Sequence, residues 1–285
     1  MTLLEKRIRG LTADLSAAVS KLAANEVAPK SVHRLRTSIR RIESLVSYSH
    51  PDLDKKLERS LEKMADLRKQ AGKVRDLDVQ VGLLGALANG STVRDRETLS
   101  ELLWKKRDRQ AKRLASFLRK LQESKFFARM NRIAEKAGAK PDEANRPLAP
   151  LEEARAQLVA MAGDFSSRQT FKLTRLHDAR ICLKRIRYLA ELAEASAEQK
   201  EFIGELKAVQ DAIGDWHDWQ ELSGTAEKRF SDRVNCALLR EVRALLGARH
   251  SAATSAINKL LAMASGLSRK RPRSARSDRA FTQYA

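Results

Sequence analysis

The sequence predicts an all-α protein built as two four-helix bundles, related by internal duplication about a pseudo-two-fold, with long antiparallel helices. Three observations carry that prediction. Only 12 glycines and 6 prolines interrupt 285 residues. No run of alternating β-branched residues appears that would mark a strand. The stretch "VHRLRTSIRRIESL" at 32–45 is written a second time as "LHDARICLKRIRYL" at 176–189. Hydrophobic residues make up 42% of the chain and aromatic ones only 5%, so the core must be made mainly of Leu, Ala, Val and Ile.

A first helix is expected from about Leu3 to Ala24. A second follows Pro29 and Ser31 and stops before Pro51, since proline favours a helix start and ends the one before it. A third begins near Pro51 and reaches the glycines between Gly82 and Gly90, with a bend at Gly72. A fourth is long, from about Val93 to Ala137, with a break near Ser124. "GAKPDEANRPLAP", residues 138–150, has three prolines and a glycine and reads as a linker. The pattern then restarts, with helices from about Leu151, from Gln169 to Ala195, from Glu198 to Ile213, and from Asp215 to Ser265. The halves are therefore 1–137 and 151–266, forming one unit over 1–266. Residues 267–285, "LSRKRPRSARSDRAFTQYA", hold six Arg or Lys against one Asp and little apolar periodicity, and read as a disordered basic tail.

Two landmarks define the duplication. At an offset of 144, His33 matches His177, Arg36 matches Arg180, Arg40 matches Lys184, Arg41 matches Arg185 and Ile42 matches Ile186. At an offset of 142, Gly72 matches Gly214 and Asp76 matches Asp218. On a helical wheel His33, Arg36 and Arg40 share an arc of about 60°, with Arg41 nearby and Leu35, Ile39, Ile42 and Val46 opposite. In the second copy His177, Arg180, Lys184 and Tyr188 share the arc, opposite Ala179, Leu183, Ile186 and Ala190. A solvated helix face normally mixes acids with bases for i, i+4 pairing. Here the arc is basic in both copies. Two such faces meeting across a pseudo-two-fold would line one electropositive groove.

The net charge of +20 at pH 7 points the same way, toward a polyanion: nucleic acid, an anionic membrane surface or inorganic polyphosphate. Two cysteines, Cys182 and Cys236, make no disulfide framework and fit free thiols in a reducing cytosol. The N-terminal "MTLLEKRIRGLTADL" lacks the apolar core of a signal peptide. No stretch approaches the ~18 apolar residues a membrane span needs. The expected location is cytoplasmic, with no membrane insertion.

The segments "VHRLRTSIRRIESL", "GKVRDLDVQV", "LHDARICLKRIRYLAEL" and "AIGDWHDW" resemble the CHAD family, the conserved-histidine α-helical domain. The resemblance spans roughly residues 3–266. It implies two four-helix bundles related by pseudo-symmetry, binding of inorganic polyphosphate, and association with polyphosphate granules. It further implies that His33, Arg36, Arg40 and Arg41, with His177, Arg180, Lys184 and Arg185, line the binding surface. Arg75 of "GKVRD" and Arg187 and Tyr188 of the second basic helix complete the candidate set. The second glycine–aspartate segment departs from the family's usual pattern: His217 precedes the aspartate, flanked by Trp216 and Trp219.

Arginine offers phosphate oxygens a planar fork of permanently charged donors, and Lys184 a point charge. A protonated histidine donates from both ring nitrogens, so binding is expected to strengthen as pH falls toward ~6. Asp76, Asp78 and Asp218 read as structural partners that orient Arg75 and its basic neighbours. Two rivals stand beside this reading. The dipeptides His177–Asp178 and His217–Asp218 are reminiscent of helical metal-dependent phosphohydrolases. However, Asp178 lies about 100° from His177 on the wheel, and its counterpart in the first copy is Arg34. No H-E-x-x-H, Walker loop or G-x-S-x-G is present, so neither catalysis, a metal nor a cofactor is expected. Nucleic-acid binding is the other rival, including nonspecific binding through the basic tail. No helix-turn-helix, zinc-finger or RNP pattern supports it, and few aromatics are available for base stacking.

Overall fold

A computed structural model describes residues 1–24, 27–49, 51–87, 93–139, 150–166, 173–231 and 235–269. The described residues form nine α-helices and no strand. They are α1 (Leu3–Ala24), α2 (Pro29–Ser49), α3 (Lys55–Ala86), α4 (Val93–Gln122), α5 (Phe126–Gly138), α6 (Pro150–Ser166), α7 (Leu173–Ala190), α8 (Ala197–Arg229) and α9 (Ala237–Arg269).

Local chemistry sets the boundaries. Pro29 occupies the first turn of α2, where a missing N–H costs nothing. The Asp54 carboxylate accepts from the backbone N–H groups of Lys56 and Leu57 and caps α3. The Ser196 hydroxyl accepts from the N–H of Gln199 and caps α8. The long fourth helix breaks at Ser124, as expected. There the Ser124 Oγ donates to the Leu121 carbonyl and accepts from the Phe126 N–H, and the chain restarts as α5.

The third helix is helical through Gly72. The glycines misled the boundary reading at two places. The expected break at Gly214 is absent: α8 continues from Ala197 to Arg229. A helical glycine costs only about 1 kcal/mol relative to alanine. The buried series Leu206, Val209, Ile213, Trp216, Trp219, Leu222 and Ala226 carries the helical period past it. At the C-terminus α9 passes Gly266 and ends at Arg269, so 267–269 are helical rather than part of the tail. Residues 270–285 and most of the proposed linker, 140–149, lie outside the described residues.

Helices α1 to α5 pack among themselves, and so do α6 to α9. The two groups meet chiefly through α2 against α7 and α3 against α8. On α2 the buried side chains are Val32, Leu35, Ile39, Ile42, Leu45 and Val46, the apolar face anticipated on the wheel. On α7 they include Ala179, Leu183, Ile186 and Ala190. These faces join one apolar cluster that runs through both groups. A second, smaller cluster joins the ends of α3 and α8 to the starts of α4 and α9, around Leu99, Leu103, Trp219, Phe230 and Leu238. With the apolar faces turned inward, the basic arcs of α2 and α7 are left facing each other.

Candidate functional site

The basic arc of α2 gains neighbours from α3. The Arg36 guanidinium donates to the Asp76 carboxylate at 3.0 Å and to the Gly72 carbonyl at 3.5 Å. Gly72 is buried, and Arg36 lies directly over it: a Cβ built there would sit 3.7 Å from the Arg36 Cζ. His33, one turn back, feels the charges of Arg75, Arg36 and Lys184. Its side chain is exposed at the rim, yet lost solvation is the largest cause holding its pKa below the ordinary histidine value, followed by those three cations.

The arc of α7 is set by α8. Gln210 donates to the Leu183 carbonyl at 2.7 Å and Gln199 to the Ala190 carbonyl at 3.2 Å, pinning α7 along α8 from two buried amides. His177 is exposed, and its ring stacks on that of His217 with centroids 5.8 Å apart and planes 28° from parallel. Burial lowers the His177 pKa, and the proximity of His217, Arg180 and Lys184 lowers it further against the opposing pull of Asp178. Trp216 and Trp219, which flank His217, are buried in the two apolar clusters. They anchor α8 and leave the intervening His217 and Asp218 partly exposed.

The two arcs converge. Arg40 on α2 is pushed down to about 10 by burial, then by Arg36, with Arg68 and Arg180 acting in the same direction against Tyr188. Arg180 on α7 is lowered by burial and by Arg36, and sustained by Asp218, Asp76 and Tyr188. Lys184 is the most affected. Burial, then Arg180, Arg40 and Arg36, push its ammonium down to about 6, with Asp218 the opposing charge. Tyr188 is itself buried, at 6% exposure, between these cations. Helices α2, α3, α7 and α8 thus bring together His33, Arg36, Arg40, Arg75, His177, Arg180, Lys184 and Tyr188, with His217, Asp76 and Asp218.

Three of the predicted residues are placed otherwise. Arg41 donates to the Glu191 carboxylate at 3.1 Å, and Arg187 lies 3.5 Å from the same carboxylate with its guanidinium over the Tyr188 ring. Glu191 therefore holds both. Arg185 is exposed, and its charge is felt at Cys182, toward α6. Of the aspartates, Asp76 orients Arg36, a basic neighbour of Arg75, and Asp78 is placed otherwise. Asp78 pairs with Arg107 of α4 at 2.9 Å, both side chains nearly sealed from solvent, and Arg107 also donates to the Val27 carbonyl. That pair joins α3 to α4, away from the basic arcs.

Two polar atoms at the convergence are buried without a hydrogen-bond partner, the Arg180 Nε and the His217 Nδ1. The nearest carboxylate oxygen to the latter, on Asp218, is 3.6 Å away. A native fold rarely leaves such groups unsatisfied. His217 is the residue that sequence reasoning under-used. Its signal was available: at the offset of 142 it stands where the first half has Arg75.

The structure brings the two His–Asp dipeptides together through the imidazole stack. Among the described residues, no three His, Cys, Asp or Glu side chains group closely enough to hold a metal ion. Among the same residues no helix is long and apolar enough to cross a membrane.

Comparison with known proteins agrees with this architecture. The family model for the CHAD domain matches residues 11–227. The fold is similar to the crystal structure of the CHAD domain from the plant Ricinus communis, with a TM-score of 0.64 at 17% identity over 94% of this chain and 92% of that one. It is also similar to PptA from Streptomyces chartreusis, with a TM-score of 0.58 at 14% identity over 92% of this chain and 97% of that one. No curated protein matches the sequence.

Proposed function

The chain belongs to the CHAD domain family, and from that premise we propose that it binds inorganic polyphosphate along the groove between α2 and α7, in the cytoplasm and on polyphosphate granules, without catalysing a reaction on it. The observation that carries this reading is the mutual burial of like charges: Arg36, Arg40, Arg180 and Lys184 each depress another's pKa or are depressed by one. An unliganded protein gains nothing by packing cations together. A polyanion with one charge per phosphate relieves that repulsion and fills the open valences of Arg180 and His217. The meeting of α2 with α7 and of α3 with α8 supports the duplication, because these are the helix pairs that carry the repeated motifs.

Calorimetric titration with long-chain polyphosphate at ~150 mM salt, where charges further apart than ~8 Å are screened, tests the reading. Tight binding is expected for the wild type. A loss of about a hundredfold or more is expected for the combined His33→Ala, Arg36→Ala, His177→Ala and Arg180→Ala variant, since each removes a charge-assisted contact of about 1 kcal/mol or more. Double-stranded DNA is expected to bind much more weakly. Equal affinity for both polyanions, unmoved by the four substitutions, would sink the proposal.

A further inference from the structure

The groove is chemically lopsided. Its first-half side carries Arg36, Arg40 and Arg75, which stay charged at any physiological pH. The second half keeps Arg180 but has Lys184 where the first has Arg40, and His217 where the first has Arg75. Both replacements exchange a permanent cation for one that can give up its proton.

The geometry makes that exchange consequential. Lys184 is half-buried, and charges from both arcs act on it. Facing it are His33, Arg36 and Arg40 from α2, Arg180 and His177 from its own helix, and Asp218 with His217 from α8. Arg75 and Asp76 of α3 stand behind His33 and Arg36. The one charged side chain of α6 seen to act on α7, Asp164, acts at Cys182 on another face. Cations dominate the nearest shell. The His177 ring, stacked on that of His217 at 5.8 Å, adds a further site that can take a proton.

We propose that polyphosphate enters this groove together with protons, taken up by Lys184 and by His177 where it stacks on His217, so that the second-half side is charged fully only when the ligand is in place. The proposal rests on the polyphosphate reading and adds its regulation: affinity is set by pH mainly on the second-half side, because the first-half side titrates only at His33 beside its permanent arginine charges. The proton is supplied by the solvent buffer and ends on the Lys184 amine or an imidazole nitrogen. The internal phosphates of a long chain remain ionised throughout and contribute no proton. With Lys184 free at about 6, that amine is largely neutral at pH 7.5, and ligand phosphates restore its charge.

The test is titration of long-chain polyphosphate at pH 7.5 in buffers of different ionisation enthalpy, repeated from pH 6 to 8.5. The wild type is expected to take up about one proton or more per groove at pH 7.5, and to bind several-fold more tightly at pH 6 than at pH 8.5. The Lys184→Arg variant is expected to lower the uptake by about one proton and to flatten the pH dependence. Adding His177→Gln should flatten it further. The single His177→Gln variant provides an independent check should Lys184→Arg fold poorly. Binding whose heat is the same in every buffer, and whose affinity does not change across that range, overturns the proton coupling and leaves the polyphosphate reading standing. No binding at any pH would remove both, an outcome plain from the absence of saturable heat.

Discussion

Lys184 shows how a side chain can oppose the stability of the fold it serves. Its amine titrates at about 6 in the folded chain against 10.5 when free of the fold. Between those two values the unfolded chain binds more protons than the native one, so native stability rises with pH across that window. Below about 6 both states are protonated and the full cost of charging the buried amine is present. His33 and His177, both held below 6.5, extend the same trend to the acid side. The unliganded protein is therefore expected to melt at higher temperature as pH is raised from 6 to 9. Lys184→Met should be more stable than the wild type at pH 6 and should lose most of that advantage by pH 9. Thermal melts followed by circular dichroism decide this. A wild-type profile that falls toward pH 9, or a methionine variant with a constant advantage, contradicts the assignment of Lys184 as a strained cation.

At the scale of the helix, Gly72 links α3 to the groove. The Arg36 side chain crosses it to reach Asp76, and the free space over Gly72 is ordinary van der Waals contact rather than an overlap. Alanine therefore fits. Gly72→Ala should stabilise the protein by up to about 1 kcal/mol through helix propensity while leaving polyphosphate affinity unchanged. Gly72→Leu needs the volume that Arg36 occupies, and should weaken binding several-fold with no gain in stability. Parallel melts and titrations would expose the error if alanine weakened binding as much as leucine does. The same glycine illustrates what was legible in the sequence. The apolar series of α2 and α7 fixed which faces turn inward, and hence that His33, Arg36, His177 and Arg180 turn outward together, because a 3.6-residue period survives any error at the ends. The ends themselves were harder to read. Gly214 looks like a break in one dimension, but the packing of Ile213 and Trp216 carries α8 through it. Partner choice was hidden as well. That Asp78 reaches Arg107 on α4, or that Glu191 collects Arg41 and Arg187, depends on which helices become neighbours, and no local spacing records that.

Across the whole molecule these local strains share one sign. The chain carries +20 at pH 7, and its two helical groups meet in part through α2 and α7, whose basic arcs face each other. Apolar burial continuous through both groups holds that junction together against the repulsion. A ligand that binds only the native state adds RT ln(1 + [L]/Kd), about 2.7 kcal/mol at a hundred times Kd. For a chain of this size each kcal/mol moves the midpoint by roughly 2–4 °C. Saturating long-chain polyphosphate should accordingly raise the melting temperature by about 5–10 °C. Added sodium chloride screens only the exposed part of the repulsion and should raise it less. The variant lacking His33, Arg36, His177 and Arg180 gives the sharper comparison. Without ligand it should melt no lower than the wild type, because the charges it lacks repel one another, and polyphosphate should barely move it. A variant that melts well below the wild type without ligand would mean that these side chains hold the two groups together. The charge at the junction would then belong to the architecture and not to a binding site kept open at the expense of stability.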